Sequence, residues 1–273
     1  MQRRHEFDRP IVETNLAVAD DAIAGYLKKI DAGNWRLVRA LPGLTYQNLC
    51  SAAALGTGSD QQLGYLDLFI DASLATHRMS LSIGAPIVIE LAGRRHEVVP
   101  PDLNYLVSDQ SWLAGYFAAR ARRNTGAAKA FCELDIDLIN QQSDAKGGSY
   151  SLLLAKFFQR LLVPGEPHGK SLLAIAAEVA PDKMPDATYD YALHVDGPLV
   201  DTLAPMLMGD SAEFNTSLAE ALALHAKYWT REPRNSTDGF ISVALTALAV
   251  TAVDQGVLVD QRSEYLLSFL LDG

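Results

Sequence analysis

The stretch FISVALTALAVTAV, residues 240–253, constrains this chain more than any other feature. It is apolar on almost every side, so as a helix it offers water no face and must be enclosed by other elements. Enclosure requires a long chain, and one of 273 residues, 49% hydrophobic and 21% charged, supplies it. Surface scaling gives such a chain a folded area of roughly 12,000 Å² and buries about 70% of its unfolded surface. One large core suffices, and a disordered tail or a disulfide-stapled miniprotein is excluded.

The enclosing elements read as helices. Leu16, Ile23, Leu27 and Ile30 recur at helical spacing between the candidate caps Thr14 and Asn15 and the stop at Gly33. A second pattern covers Trp35 to Leu55, with Pro42-Gly43 as a kink or break. After a turn from Gly56 to Ser59, a third carries Leu63, Leu66, Phe69, Ile70 and Leu74 toward Ile83. Further segments hold Trp112 and Phe117, then Phe131, Leu134 and Leu138, with short breaks near Gly126, Gly147, Pro164 and Pro181. Asp210 and Glu213 have capping-box spacing ahead of FNTSLAEALALHAKYWT, whose Phe214, Leu218, Ala221, His225 and Tyr228 share one face. Ser263 is placed to cap a last helix with Tyr265, Leu266, Phe269 and Leu270. PIVIEL and HEVV, around a four-residue turn Ala92 to Arg95, supply the one strand signal, expected as an appendage on the helices. The expected fold is all-α: a single globular domain over residues 1–273, built of antiparallel helices with one short β-hairpin near residues 86–99.

Common chemical motifs are missing or incomplete. Cys50 and Cys132 stand alone, which supports neither a disulfide framework nor a thiolate metal site. His5, His77, His96 and His194 lack paired zinc-ligand spacing. Gly165 to Ser171 ends in Gly-Lys-Ser, as a phosphate loop does, but the first glycine is one position out of register and a helical pattern precedes it. Glu133, Asp135 and Asp137 cluster, and on one helix only Glu133 and Asp137 would share a face. His225, beside aromatic residues, reads as a core histidine with a depressed pKa. No cofactor and no metal are expected. MQRRHEFDRP lacks an apolar signal core, and no apolar run reaches the roughly 18 residues of a membrane span. A cytoplasmic location follows, with no membrane partner.

The net charge of −10 speaks against direct nucleic-acid binding. Much of it is local: residues 181–220 carry eight carboxylates against one lysine. Asp186, Asp190, Asp196 and Asp201 lie along this stretch, four apart or around a turn at Gly197-Pro198, and are candidates for a ridge that docks a basic partner.

The last 60 or so residues resemble the immunity protein 49 family of bacterial polymorphic-toxin systems. Phe214, Asn215, Leu222, His225, Tyr228, Trp229 and Thr230 match one helix pattern, Asp238-Gly239, Leu248-Ala249, Asp254 and Gly256 the next, and Ser263, Glu264, Tyr265 and Leu266 the closing motif. Arg4-His5 matches an early pair, whereas Leu267 stands in place of proline and Ala226 in place of a common lysine. The resemblance implies an all-α cytoplasmic antidote that binds a cognate toxin domain and blocks it stoichiometrically, without catalysis. It brings no catalytic residues, and its matched positions look like a fold signature. The alternatives are an all-α metal-dependent hydrolase that reverses toxin damage, using Glu133, Asp137 and His225, and a helical adaptor.

Overall fold

The structure is a computed structural model that describes residues 2–143, 148–161, 168–179, 182–184, 186–231 and 237–272. Among the described residues it is mostly α-helical with one two-stranded hairpin. Helix α1 (Arg9–Asp31) starts five residues before Thr14, because the Asp8 carboxylate accepts from the Ile11 amide and Pro10 sits in the first turn. A 3-10 turn (Trp35–Ala40) leads into α2 (Leu41–Leu55), where Pro42 opens the helix rather than breaking it. A proline in the first turn has no intrahelical partner to lose. Helix α3 (Ser59–Leu81) follows, and α2 packs on both α1 and α3, as antiparallel neighbours with short connections do.

Strands β1 (Ile87–Leu91) and β2 (Arg94–Val98) pair antiparallel, with Leu91 opposite Arg94. The turn is therefore two residues, Ala92 and Gly93, both at positive φ, shorter than the four-residue turn expected. Nor is the hairpin an appendage, since Ile89, Leu91 and Val98 are buried in the core and β1 packs on α3.

Helix α4 (Asp109–Ala121) is held by a Ser108–Ser111 capping box and followed by α5 (Thr125–Cys132), α6 (Ile136–Gln142), α7 (Gly148–Leu161) and α8 (His168–Glu178). The Gly165 end of the Gly-Lys-Ser segment lies outside the described residues; Lys170 and Ser171 belong to α8, and the element before it is a helix. Helix α9 (Asp186–Tyr191) runs through a π-helical turn (Ala192–Asp196) into α10 (Gly197–Met208), where a turn had been expected at Gly197-Pro198. The Asp210 side chain accepts from the amides of Ala212 and Glu213 and starts α11 (Ser211–Trp229).

The apolar stretch becomes α12 (Val243–Asp254), buried from Leu245 through Ala252 and packed against α4, α10 and α11. After it, the last expected helix does not form. Ser263 instead pairs with Gln2 in an isolated parallel bridge, its hydroxyl accepts from the Tyr265 amide, and only a 3-10 turn (Ser268–Leu270) follows. Hydrogen bonding to the N-terminal segment replaces the helical bonds these residues would otherwise make.

Candidate functional site

The end segments meet over the C-terminal end of α11. Arg4 ties them: its Nε donates to the Phe240 carbonyl at 2.6 Å, one terminal nitrogen to the Ala53 carbonyl at 3.1 Å, and the other to the Glu264 carbonyl. The Arg4 amide in turn donates to the Glu264 carboxylate at 2.9 Å. The Tyr265 hydroxyl accepts from the His5 amide and lies 3.2 Å from His5 Nδ1. The rings of His5 and Phe240, and of His225 and Tyr265, lie with centroids 5.1 Å apart.

His225 lies beneath this knot, 3% exposed, with Nε2 3.1 Å from the Gly239 carbonyl. A carbonyl can only accept, so Nε2 carries the proton and Nδ1 presents a lone pair, which has no partner. Burial above all, and His5 second among the opposing effects, hold the imidazole at a pKa of about 4, against the upward pull of the Gly239 bond. Gly239 passes so close to Trp229 that a Cβ there would lie 2.2 Å from the indole. The Trp229 Nε1–H is buried and unpartnered.

Trp229 and His225 border a cavity of about 130 Å³, whose other polar and aromatic walls include Tyr46, Tyr191, Asp196 and Asp238. Asp196 reaches it because the π-helical turn rotates the chain, and Gly197 permits that turn: a Cβ there would lie 2.8 Å from the Ala192 carbonyl oxygen. Burial first, and the buried Asp109 carboxylate second, raise the Asp196 pKa to about 7. Burial likewise raises that of Asp238, opposed by a hydrogen bond from Thr237. Asp238 also lines an open groove of about 460 Å³ with residues of α1 and α2, Asn15, Gln47 and Asn48 among them.

The four acids singled out in the sequence thus have different surroundings. Asp190 receives Arg231 at 2.9 Å and lies 3.2 Å from His194 Nδ1. Asp196 borders the cavity, and Asp201 is exposed on α10, its pKa raised by partial burial and then by Glu220. The side chain of Asp186 lies outside the described residues. The π-helical turn, invisible to a 3.6-residue periodicity, separates Asp196 from a common ridge.

The remaining singled-out residues are structural ties. Asn215 donates to the carbonyls of Ser211 and Leu258 and accepts from the Asp260 amide, fastening α11 to the segment after α12. Phe214 is fully buried, and Tyr228 stacks edge-on against Tyr191 and Trp229. Glu133 and Asp137 do not share a helix: the chain breaks between α5 and α6, where Asp135 caps α6 by accepting from the Leu138 amide. Glu133 pairs with Lys129 at 3.9 Å and Asp137 with Lys156 at 2.6 Å. Among the described residues no group of three or more His, Cys, Asp or Glu side chains is arranged to hold a metal ion, and no helix is long and apolar enough to cross a membrane.

What the fold and this site define is a mostly α-helical protein whose two end segments are knotted together over a small polar-walled cavity. The model of one family, immunity protein 49, matches residues 50–266, and the chain belongs to that family. Membership implies a protein toxin as partner. No curated protein and no solved structure matches the chain.

Proposed function

We propose that the protein binds a cognate bacterial toxin domain and neutralises it by stoichiometric occlusion, making and breaking no bonds. Family membership is the observation that carries this reading. The architecture suits it: a helical body with a densely tied C-terminal region presents a preformed surface, which lowers the ordering cost of association. The folded area of 12,720 Å² is near the roughly 12,000 Å² of one compact unit, which supports treating residues 1–273 as a single domain. A cytoplasmic site of action follows from the role of an antidote that meets its toxin inside the producing cell. Asp186, Asp190 and Asp201 are the proposed rim of the contact, with Asp196 set behind it. Acids so placed set the encounter rate and the choice of a basic partner.

Titration of the cognate toxin's activity tests the mechanism. Occlusion predicts complete inhibition near one equivalent and no recovery at a small fraction of an equivalent. Full protection by trace amounts of the protein would overturn occlusion in favour of a repair enzyme.

A further inference from the structure

We propose that the cavity bordered by Tyr46, Tyr191, Asp196, His225, Trp229 and Asp238 receives a guanidinium group, the side chain of an arginine that the toxin presents past Asp238. The proposal rests on the toxin-binding reading and names the chemistry it uses. Asp196 and Asp238 face the cavity with no ion pair to a basic side chain among the described residues. His225, on the same cavity wall and only 3% exposed, keeps an Nδ1 lone pair without a partner. The two carboxylates set the charge of the cavity, and a guanidinium, with five N–H donors and a full positive charge, complements them as a neutral amide or a carboxylate does not. Aromatic walls suit a planar cation better than the compact, strongly hydrated head of lysine. Donors also line the cavity, in Tyr46, Gln110, Tyr191 and Ser242, and the unpartnered Trp229 Nε1–H is left for a peptide carbonyl of the same entering chain.

Size and access agree. A cavity of about 150 Å³ admits benzene, so one of about 130 Å³ accommodates the smaller guanidinium head. Asp238 borders both this cavity and the open groove between α1 and α2, so one carboxylate serves the entrance and the interior. Among the described residues, the titratable groups that sense Asp196 are acidic or neutral, Asp109 from α4, Tyr150 from α7 and Tyr191 from α9, while Asp238 is sensed by Tyr191 and by Tyr46 and Cys50 of α2. An arriving cation would favour the ionised form of Asp196, so binding releases a proton and tightens as pH rises through about 7.

The test uses the full chain and N-ethylguanidinium, with neutral N-ethylurea as its shape control, and follows the Trp229 indole N–H resonance. The expected result is a saturable shift with ethylguanidinium, about tenfold tighter at pH 8 than at pH 6, as expected for one coupled proton. Ethylurea should give none, and Asp238→Asn and Asp196→Asn should each weaken binding about tenfold or more, as loss of a charge-assisted bond does. No shift, equal binding of ethylurea, or unchanged binding in the Asn variants overturns the proposal. If Asp196→Asn fails to fold, Asp238→Asn and the ethylurea comparison decide. No toxin enters this measurement, so its failure leaves stoichiometric neutralisation standing, and failure of the toxin titration leaves the affinity of the cavity measured.

Discussion

Gly239, His225 and Asp196 show how single residues set the energetics of the site. Gly239→Ala places a methyl group 2.2 Å from the Trp229 ring, so the ring or the backbone beside the buried Phe240 must shift. Overpacking of this kind costs about 1 to 3 kcal/mol, and urea denaturation should show it together with a changed Trp229 environment. His225 is neutral in the fold with a pKa of about 4, against 6.5 for an unhindered imidazole. Its folded pKa is depressed, so its contribution is complete above pH 6.5 and is lost as pH falls toward 4, to an extent of roughly 3 kcal/mol. His225→Gln, which keeps a donor for the Gly239 carbonyl, should flatten stability across that window. Asp196 has the opposite sign. Its folded pKa of about 7 lies above the ordinary 3.8, so the folded state retains a proton the unfolded chain has given up, and stability falls as pH rises from 4 to 7. Asp196→Asn should therefore stabilise the protein by about 1 to 3 kcal/mol at pH 8, the gain fading below pH 4. A carboxylate kept in so costly a place fits a residue retained for binding rather than for stability.

Among the elements, the irregular end segments do more than their lack of helix suggests. Arg4 bonds to carbonyls of α2, of the loop before α12 and of the closing segment, so removing it unties three pieces of chain at once. Arg4→Ala should cost about 2 to 4 kcal/mol, more than a single surface ion pair, because buried carbonyls lose charge-assisted donors. Hydrogen exchange should then quicken together at residues 2–5 and 263–266. The helices themselves were legible: the apolar sides of α1, α3 and α11 appear as 3.6-residue patterns, and the burial of α12 follows from its composition. What local periodicity cannot carry is any feature that depends on distant chain. Ser263 looked like a cap because its neighbours are apolar, yet Gln2, 261 positions away by their numbers, claims its backbone. The π-helical turn that swings Asp196 inward leaves no pattern of period 3.6, and only Gly197 hints at it. His225 was legible as a buried neutral imidazole, whereas the cavity beside it was not. Tyr46, Tyr191, Asp196 and Asp238 come from separate stretches and meet only through tertiary packing.

For the whole molecule, the net charge of −10 and its concentration between residues 181 and 220 act at long range, before any contact forms. Two contributions can be separated. Charges on the proposed rim, the half-exposed Asp190 and the exposed Asp201 together with Asp186, would steer a basic toxin and be screened beyond a Debye length of about 8 Å at physiological salt. A cavity acid such as Asp196 would be shielded from salt by the protein around it and act on dissociation once the complex has formed. Replacing Asp186, Asp190 and Asp201 together by Asn should therefore lower the association rate of the toxin complex about tenfold at low ionic strength, flatten its dependence on salt, and leave dissociation nearly unchanged. Asp190 contributes least to that sum, since Arg231 already neutralises part of its field. Asp196→Asn should do the reverse, speeding dissociation with little effect on encounter. Stopped-flow association at 20 and 200 mM salt, with dissociation followed by competition, distinguishes the two. Equal effects of both variants on association would place all four acids on one solvated surface and remove Asp196 from the interface interior.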